Sequence, residues 1–421
     1  MTHADWLSSV LASARPKAIA ALLRRFGDLD LAEEAFQEAC LRALKSWPTN
    51  GPPRDAAAWL IMVGRNSAID QVRRKSKEAP IPEEERAISD LGDAESAIAG
   101  AIDDAHYRDD ILRLMFVCCH PELPATQQIA LALRIVSGLT VKQIARAFLV
   151  SDAAMEQRIT RAKAKVAKAD VPFEAPGPAE RAERLAAVAA MIYLVFNEGY
   201  TAGASATGTD ARATLAGEAI RLSRLLLSLF PTEPELMGLA ALLLLQDARA
   251  AARFDESGEL VPLDRQDRTR WNRSSLAEGL ALIDKAVRHR RPGPYQVQAA
   301  IAALHARALK AEETDWEQIA ELYGALERMQ PSPVVSLNRA VAVAKVRGPE
   351  VALEMIAPLA ASLQGYFYFH GVRGTFLRDL GRTREARIAF DQAVALANSP
   401  AEAAHIRAQL DALDTEKTRN Q

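Results

Sequence analysis

Cysteine is scarce in this sequence. Three of the 421 residues are cysteine, Cys40, Cys118 and Cys119, and the last two are adjacent, a spacing that resists bridging. A disulfide framework is therefore excluded as the source of stability, which fits a reducing cytosol. Long apolar runs are also missing. Stretches such as Leu239 to Leu245 fall far short of the roughly 18 residues that suggest a membrane span, and Met1 to Arg15 lacks the apolar core of a signal peptide. Neither secretion nor contact with a membrane is expected, and a cytoplasmic location is. Charge of one sign is absent overall, with 52 basic and 54 acidic residues, so the whole-chain number argues neither for nor against nucleic acid. No Ser/His/Asp set, P-loop or dinucleotide glycine motif is visible. Cys118-Cys119-His120 has no complementary Cys or His pair at zinc-like spacing, and adjacent ligands rarely wrap one tetrahedral ion. No enzyme, no cofactor and no metal site is expected.

What is present is an ordinary globular composition, 49% hydrophobic and 25% charged, long enough for two to four domains at roughly 100 to 200 residues each. Apolar residues recur at helical spacing almost everywhere, and alternating β-branched runs of strand length are lacking, so the expected fold class is all-α. Breakers divide it. Pro48 to Pro53 reads as a turn, Ala79 to Asp93 as a Pro-containing acidic linker, and Val171 to Pro178 as a hinge with three prolines. The expected organisation is a small helical domain over 1–77, an acidic linker over 78–104, a second small domain over 105–170, a hinge over 171–179, a large helical part over 180–412 and a tail over 413–421.

The large part is rich in alanine and leucine, and internal repeats are expected there. Gly374, Leu377, Gly381, Ala386, Phe390 and Ala393 fall at the small and large positions of a tetratricopeptide hairpin, and Leu337 to Ile356 has a similar rhythm around Gly348 and Ala352. About six units of ~34 residues would fill the length; an irregular helical bundle is the competing reading.

Charge is unevenly distributed. Thr140 to Lys168 carries Lys142, Arg146, Arg158, Arg161, Lys163, Lys165 and Lys168 against Asp152 and Glu156. In the same stretch Val141, Ile144, Ala145 and Phe148 form one apolar stripe, and Met155 and Ile159 the next. Thr140 is placed to cap the first helix and Ser151 or Asp152 the second, a helix-turn-helix pattern. With the second helix in a major groove, Glu156, Gln157, Thr160 and Arg161 project as base-reading types, and Arg158 and Lys163 suit phosphates.

Nearer the N-terminus, Asp30, Glu33, Glu34, Gln37 and Glu38 form a solvent-facing acidic stripe on a helix ending near Trp47, opposite Leu31, Ala35, Phe36 and Leu41. From Trp59 to Lys75 a further helix carries Asn66, Asp70, Arg73 and Arg74 on one side, with Arg65 beside them. That mixture suits unpaired bases and backbone together.

These pieces resemble a known family. Asp30-Leu-Ala-Glu-Glu-Ala-Phe-Gln-Glu38, Trp59-Leu60 with Arg65-Asn66 and Asp70 to Arg74, then Gly138-Leu-Thr-Val-Lys-Gln-Ile-Ala145 to Gln157-Arg-Ile-Thr-Arg-Ala-Lys163 resemble regions 2 and 4 of extracytoplasmic-function (ECF) sigma factors over residues 10–170. Residues 180–412 resemble the helical, tetratricopeptide-like extension of one subgroup, whose marker phrase stands here as Tyr193-Leu-Val-Phe-Asn-Glu-Gly-Tyr200. The resemblance implies a promoter-specific transcription initiation factor with core RNA polymerase and promoter DNA as partners, through the β′ clamp and β flap. It implies that Asp30, Glu33, Glu34, Gln37 and Glu38 dock on the clamp, that Arg65, Asn66, Asp70, Arg73 and Arg74 serve the −10 element, and that Glu156, Gln157, Arg158, Thr160, Arg161 and Lys163 serve the −35 element. Glu156 stands where related sigma factors often carry a base. The extension would regulate in cis or hold a protein partner. The alternative is a one-component regulator in which the helical array senses a ligand and the helix-turn-helix alone binds an operator.

Overall fold

The computed structural model describes residues 3–51, 53–75, 104–120, 122–148, 150–168, 178–200, 209–256, 259–397 and 400–419. Most of the acidic linker (76–103), most of the Pro-rich hinge (169–177) and the end of the tail (420–421) lie outside these residues. Among them the chain is all-α, with 18 α-helices and no strand beyond one isolated bridge between Phe254 and Leu260. It forms two compact units, Met1–Val195 and Phe196–Gln421. No described helix is long and apolar enough to cross a membrane.

The first unit opens with α1 (His3–Phe26), α2 (Leu29–Asn50) and α3 (Ala56–Lys75). Ile19, Leu22, Ala32, Phe36, Ala39, Leu60 and Ala68 are buried between them. Asp28 caps α2 by accepting from the Asp30 and Leu31 amides at 2.8 and 3.1 Å, and Asp55 does the same for α3 with Ala57 and Ala58. The turn expected at Pro48 starts later. α2 runs through Pro48 to Asn50, because a proline this near a helix end removes one ladder bond only, and Gly51 at φ 76° closes the helix.

α4 (Asp104–Cys118), α5 (Ala125–Ile135), α6 (Val141–Ala147) and α7 (Asp152–Lys168) follow. Thr140 caps α6 in a reciprocal box with Gln143, its hydroxyl accepting from the Gln143 amide at 3.2 Å and its own amide donating to Gln143 Oε1 at 2.9 Å. Ser151 is the α7 cap, accepting from Ala154 at 3.2 Å. Met155, Ile159, Ala162 and Val166 form the buried stripe of α7. Cys118 and Cys119 are buried core residues whose thiols burial drives up, that of Cys119 to about 12, so they behave as small hydrophobes. α8 (Pro178–Tyr200) gives Leu185, Val188, Met191 and Ile192 to buried positions of this unit and its last turn to the next.

The second unit continues with α9 (Thr209–Leu229), α10 (Pro234–Asp247), α11 (Arg273–Arg288), α12 (Pro294–Arg307), α13 (Trp316–Met329), α14 (Pro333–Arg347), α15 (Pro349–Ile356), α16 (Phe367–Asp379), α17 (Thr383–Ala395) and α18 (Pro400–Arg419). Its apolar clusters succeed one another along the chain. Val297, Ile301, Ile319, Leu326 and Ala342 join α12 to α14. Leu337, Ala340, Ala352, Ile356, Phe369 and Phe376 join α14 to α16, and Phe367, Leu377, Ala389, Phe390 and Ile406 join α16 to α18. Each helix touches its chain neighbours, the quasi-linear arrangement of a solenoid.

The helices at Pro333, Phe367 and Pro400 start 34 and 33 residues apart, the tetratricopeptide period. Gly374 is required where it stands, since a Cβ there would lie 2.5 Å from the Phe390 ring. Upstream the period is lost. Short 3₁₀ turns at Ala250–Ala252, Leu263–Arg265 and Arg268–Arg270 stand between α10 and α11, so six even repeats do not fill the unit.

Candidate polymerase and promoter interfaces

The acidic stripe of α2 is divided by the fold. Glu34 and Gln37 are exposed and Glu38 is half-buried, paired with Arg42 at 3.2 Å. Asp30 keeps 73% of its side chain exposed, whereas Glu33 keeps 6%. Glu33 therefore does not face solvent as the helical pattern suggested. A carboxylate so buried stays charged only beside cations, and three are supplied. Arg15 Nη2 donates to Glu33 Oε1 at 3.1 Å, Lys163 Nζ to Oε2 at 2.6 Å, and Arg134 Nε lies 3.5 Å from Oε1.

Lys163 also donates to Asp30 Oδ1 at 2.6 Å. Burial works against its charge, but the hydrogen bonds to Asp30 and Glu33 prevail and hold its pKa above the ordinary lysine value. This places Lys163, expected at DNA phosphate, against two of the residues expected at polymerase. A side chain with its ammonium engaged by two carboxylates is not free for phosphate in this arrangement.

Arg15 ties the same contact to the backbone. It donates to the Ile135 carbonyl at 2.9 Å and the Arg134 carbonyl at 3.1 Å, at the C-terminal end of α5, and its guanidinium stands 5.0 Å from the Phe36 ring centroid. Gly138 must be glycine here. Its φ is +75°, and a Cβ would lie 2.7 Å from Arg15 Cδ. Burial lowers the Arg15 pKa, opposed by Glu33. Arg15 and Arg134 escaped the sequence reading because neither sits in a local charge pattern.

The remaining promoter residues stand outward. On α7, Glu156, Gln157, Thr160 and Arg161 are exposed and Arg158 is half-buried, opposite the buried stripe of Met155, Ile159, Ala162 and Val166. On α3, Asn66 and Asp70 are exposed and Arg65 is half-buried. Arg73 and Arg74 lie in the last turn of that helix, with side chains outside the described residues. Among the described residues no group of three His, Cys, Asp or Glu is arranged to hold a metal.

The architecture of the first unit has counterparts in sequence. Residues 11–78 match the family Sigma-70 region 2, and residues 113–166 match Sigma-70, region 4. The chain belongs to the ECF sigma factors, with a C-terminal helical extension. Within the extension of this sigma factor, residues 184–287 match a family of unknown function, DUF6596. An uncharacterized protein of Rhizobium meliloti (strain 1021), R00370, is 68% identical over 416 residues, 99% of this chain and 98% of that one. A probable ECF RNA polymerase sigma factor of Mycobacterium tuberculosis, SigI, is 27% identical over 166 residues, 39% of this chain and 56% of SigI. No solved structure matches. Sigma factors are transcription initiation factors, not enzymes, and their region 2 and region 4 domains meet core RNA polymerase and promoter DNA.

Proposed function

We propose that this sigma factor works in the cytoplasm, docks core RNA polymerase on the β′ clamp through the acidic face of α2, and selects its promoters through α3 and α7. Glu34, Gln37 and Glu38, with Asp30 and Glu33, form the clamp-binding set. Arg65, Asn66, Asp70, Arg73 and Arg74 hold the opened −10 strand. Glu156, Gln157, Arg158, Thr160 and Arg161 meet the −35 duplex, while region 4 contacts the β flap. The observation that carries this reading is the exposed polar face of α7, built on a capped helix pair and matched to region 4, behind a region 2 match in the expected order.

The contact of Glu33 and Asp30 with Lys163 adds a condition. While it holds, two clamp-binding acids and one DNA-binding lysine neutralise each other, so polymerase docking competes with a closed region 2–region 4 pair. Opening that pair is the step on which the C-terminal extension acts in cis.

Run-off transcription with purified core polymerase tests this. The full chain yields a promoter-specific transcript, and a chain ending after Val195, which keeps the buried face of α8, yields a different amount from the same promoter. A full chain that gives no specific transcript, yet binds a duplex operator alone as a two-fold dimer, establishes the one-component regulator instead.

A further inference from the structure

The second unit concentrates positive charge that promoter recognition does not use. α8 ends at Tyr200, the last residue of Tyr193–Tyr200, and its ring is held by two arginines from the irregular segment after α10. The Arg253 guanidinium lies 3.7 Å from the ring centroid, and its Nη1 donates to the Tyr200 carbonyl. Arg249 Nη2 donates to the Tyr200 hydroxyl at 2.9 Å and to Gln246 Oε1. Phe196 stacks on the Tyr200 ring at 5.2 Å.

Arg268 completes the group. Its Nη1 donates to the His305 carbonyl at 2.6 Å and to the Ala308 carbonyl, at the end of α12, and its guanidinium stands 4.9 Å from the Trp271 ring. Arg249 repels both Arg253 and Arg268. The same field reaches His305, whose pKa falls to about 4 through burial first and then through Arg249 and Arg268.

Capping of helix ends accounts for part of this arrangement, because arginines are favourable at helix C-termini. It occupies a single terminal nitrogen of Arg253 and of Arg268. Arg249 likewise spends one, and no carboxylate pairs with any of the three among the described residues. All three are partly exposed. Glu312 and Glu313 favour the Arg268 charge from beyond ion-pair distance, whereas the hydrogen-bond partners of Arg249 and Arg253 are neutral; neighbouring like charges, partly desolvated, are unfavourable unless an anion joins them.

We propose that Arg249 and Arg253, both held at Tyr200, together with Arg268 within reach of Arg249, form a binding site for a phosphoryl group carried by a small molecule or present as free phosphate. A phosphoryl terminus brings up to two negative charges and three acceptor oxygens, which matches three guanidinium forks with donors to spare. A single carboxylate brings one charge and two oxygens and leaves an arginine unmatched. The site gives the extension a chemical input of its own. It stands whether or not the extension regulates transcription.

Isothermal titration of the full chain at fixed ionic strength tests the site, with inorganic phosphate, glycerol 2-phosphate and malonate as probes. Saturable one-site binding of either phosphate compound is expected, and tighter binding of the ester over inorganic phosphate assigns the source to a phosphorylated small molecule, the reverse to free phosphate. Arg253→Gln and Arg249→Gln, each checked for an unchanged circular dichroism melt, weaken that binding about tenfold or more. Arg347→Gln, on the exposed end of α14, leaves it unchanged. The proposal fails if neither phosphate compound saturates, if malonate binds more tightly than both, or if binding survives whichever of the two arginine variants folds.

Discussion

In the unit Met1–Val195 one buried carboxylate, Glu33, gathers Arg15, Arg134 and Lys163, whereas in the unit Phe196–Gln421 Arg249 and Arg253 at Tyr200, with Arg268 within reach of Arg249, form no ion pair with a carboxylate among the described residues. Both arrangements put charge where water is scarce, and they differ in whether the chain supplies the partner. In the first unit two of the three partners, Arg134 on α5 and Lys163 on α7, stand more than 100 residues from Glu33 in sequence, and so their ion pairs fasten two functional regions together. In the second, apolar clusters passed from helix to helix supply the cohesion, and the surplus charge is left for something else. On the two proposals above, the neutralised contact is a surface to be opened and the unpaired arginines are a surface to be filled.

The sharpest way to break the first half of that comparison is Glu33→Ala. It leaves Arg15, Arg134 and Lys163 close together and deprived of their shared anion, so the first unit should lose about 3–5 kcal/mol by urea denaturation, as when one partner of a buried ion pair is removed. A loss below ~1 kcal/mol, the range of exposed pairs, would show that Glu33 is not the hub of the contact.

The second half is tested by acid. His305 has a folded pKa of about 4 against an ordinary 6.5, so the unfolded chain binds the proton more readily. Its contribution is therefore complete above about pH 6.5 and is lost as pH falls towards 4, by about 2–3 kcal/mol if the group acts alone. His405 is shifted the same way, through burial first and then Arg265. Melting of the full chain followed from pH 7 to pH 4 should show this loss, and His305→Gln should flatten the profile. An unchanged profile in that variant would refute the link to His305.

A smaller effect is expected from Lys163→Met, which keeps the apolar stem and removes the ammonium. Losing its bonds to Asp30 and Glu33 should cost about 1–2 kcal/mol of stability and raise affinity for core polymerase about tenfold, because the closed pair no longer competes. The raised pKa of Lys163 fixes the pH sense: its contribution is full below the ordinary value of 10.5 and fades only as pH climbs through the raised one. Polymerase affinity should accordingly be flat near neutrality as far as this lysine is concerned. Weaker polymerase binding by the variant would contradict the competition.

Helical periodicity made much of this molecule legible in advance. It located the α6–α7 pair, the Thr140 cap and the outward face of α7, because each depends on residues within one or two turns of each other. The Gly374–Phe390 contact was legible for another reason, the fixed spacing of small and large positions in a tetratricopeptide hairpin. Glu33 was not, because an acid at helical spacing looks the same whether it meets water or cations 101 and 130 residues further along the chain. The Arg249–Arg268 segment escaped for another reason: irregular 3₁₀ turns have no periodicity to read, and its partner Tyr200 belongs to a helix separated from it by two others. The extent of α2 past Pro48 was also hidden, since a proline near a helix end and a proline in a turn give the same local signal.

The smallest effect on the fold, and the most selective one on function, is expected at Arg161. Its side chain is exposed on α7, away from Met155, Ile159 and Val166, and no charge partner holds it among the described residues, so Arg161→Ala should change stability by under ~0.5 kcal/mol. If Arg161 makes a bidentate contact to guanine, its loss should cost about 1–3 kcal/mol at one −35 position and leave other positions alone. Arg158→Ala, nearer the buried stripe and suited to phosphate, should weaken all −35 sequences alike and lower the salt dependence of binding by about one ion. The pair of variants, assayed with polymerase holoenzyme on a set of single-base −35 substitutions, separates reading from anchoring on one helix. A uniform loss from Arg161→Ala would move the reading face of α7 towards Gln157 and Thr160, and would leave Lys163 as the residue that joins the two regions whichever face reads.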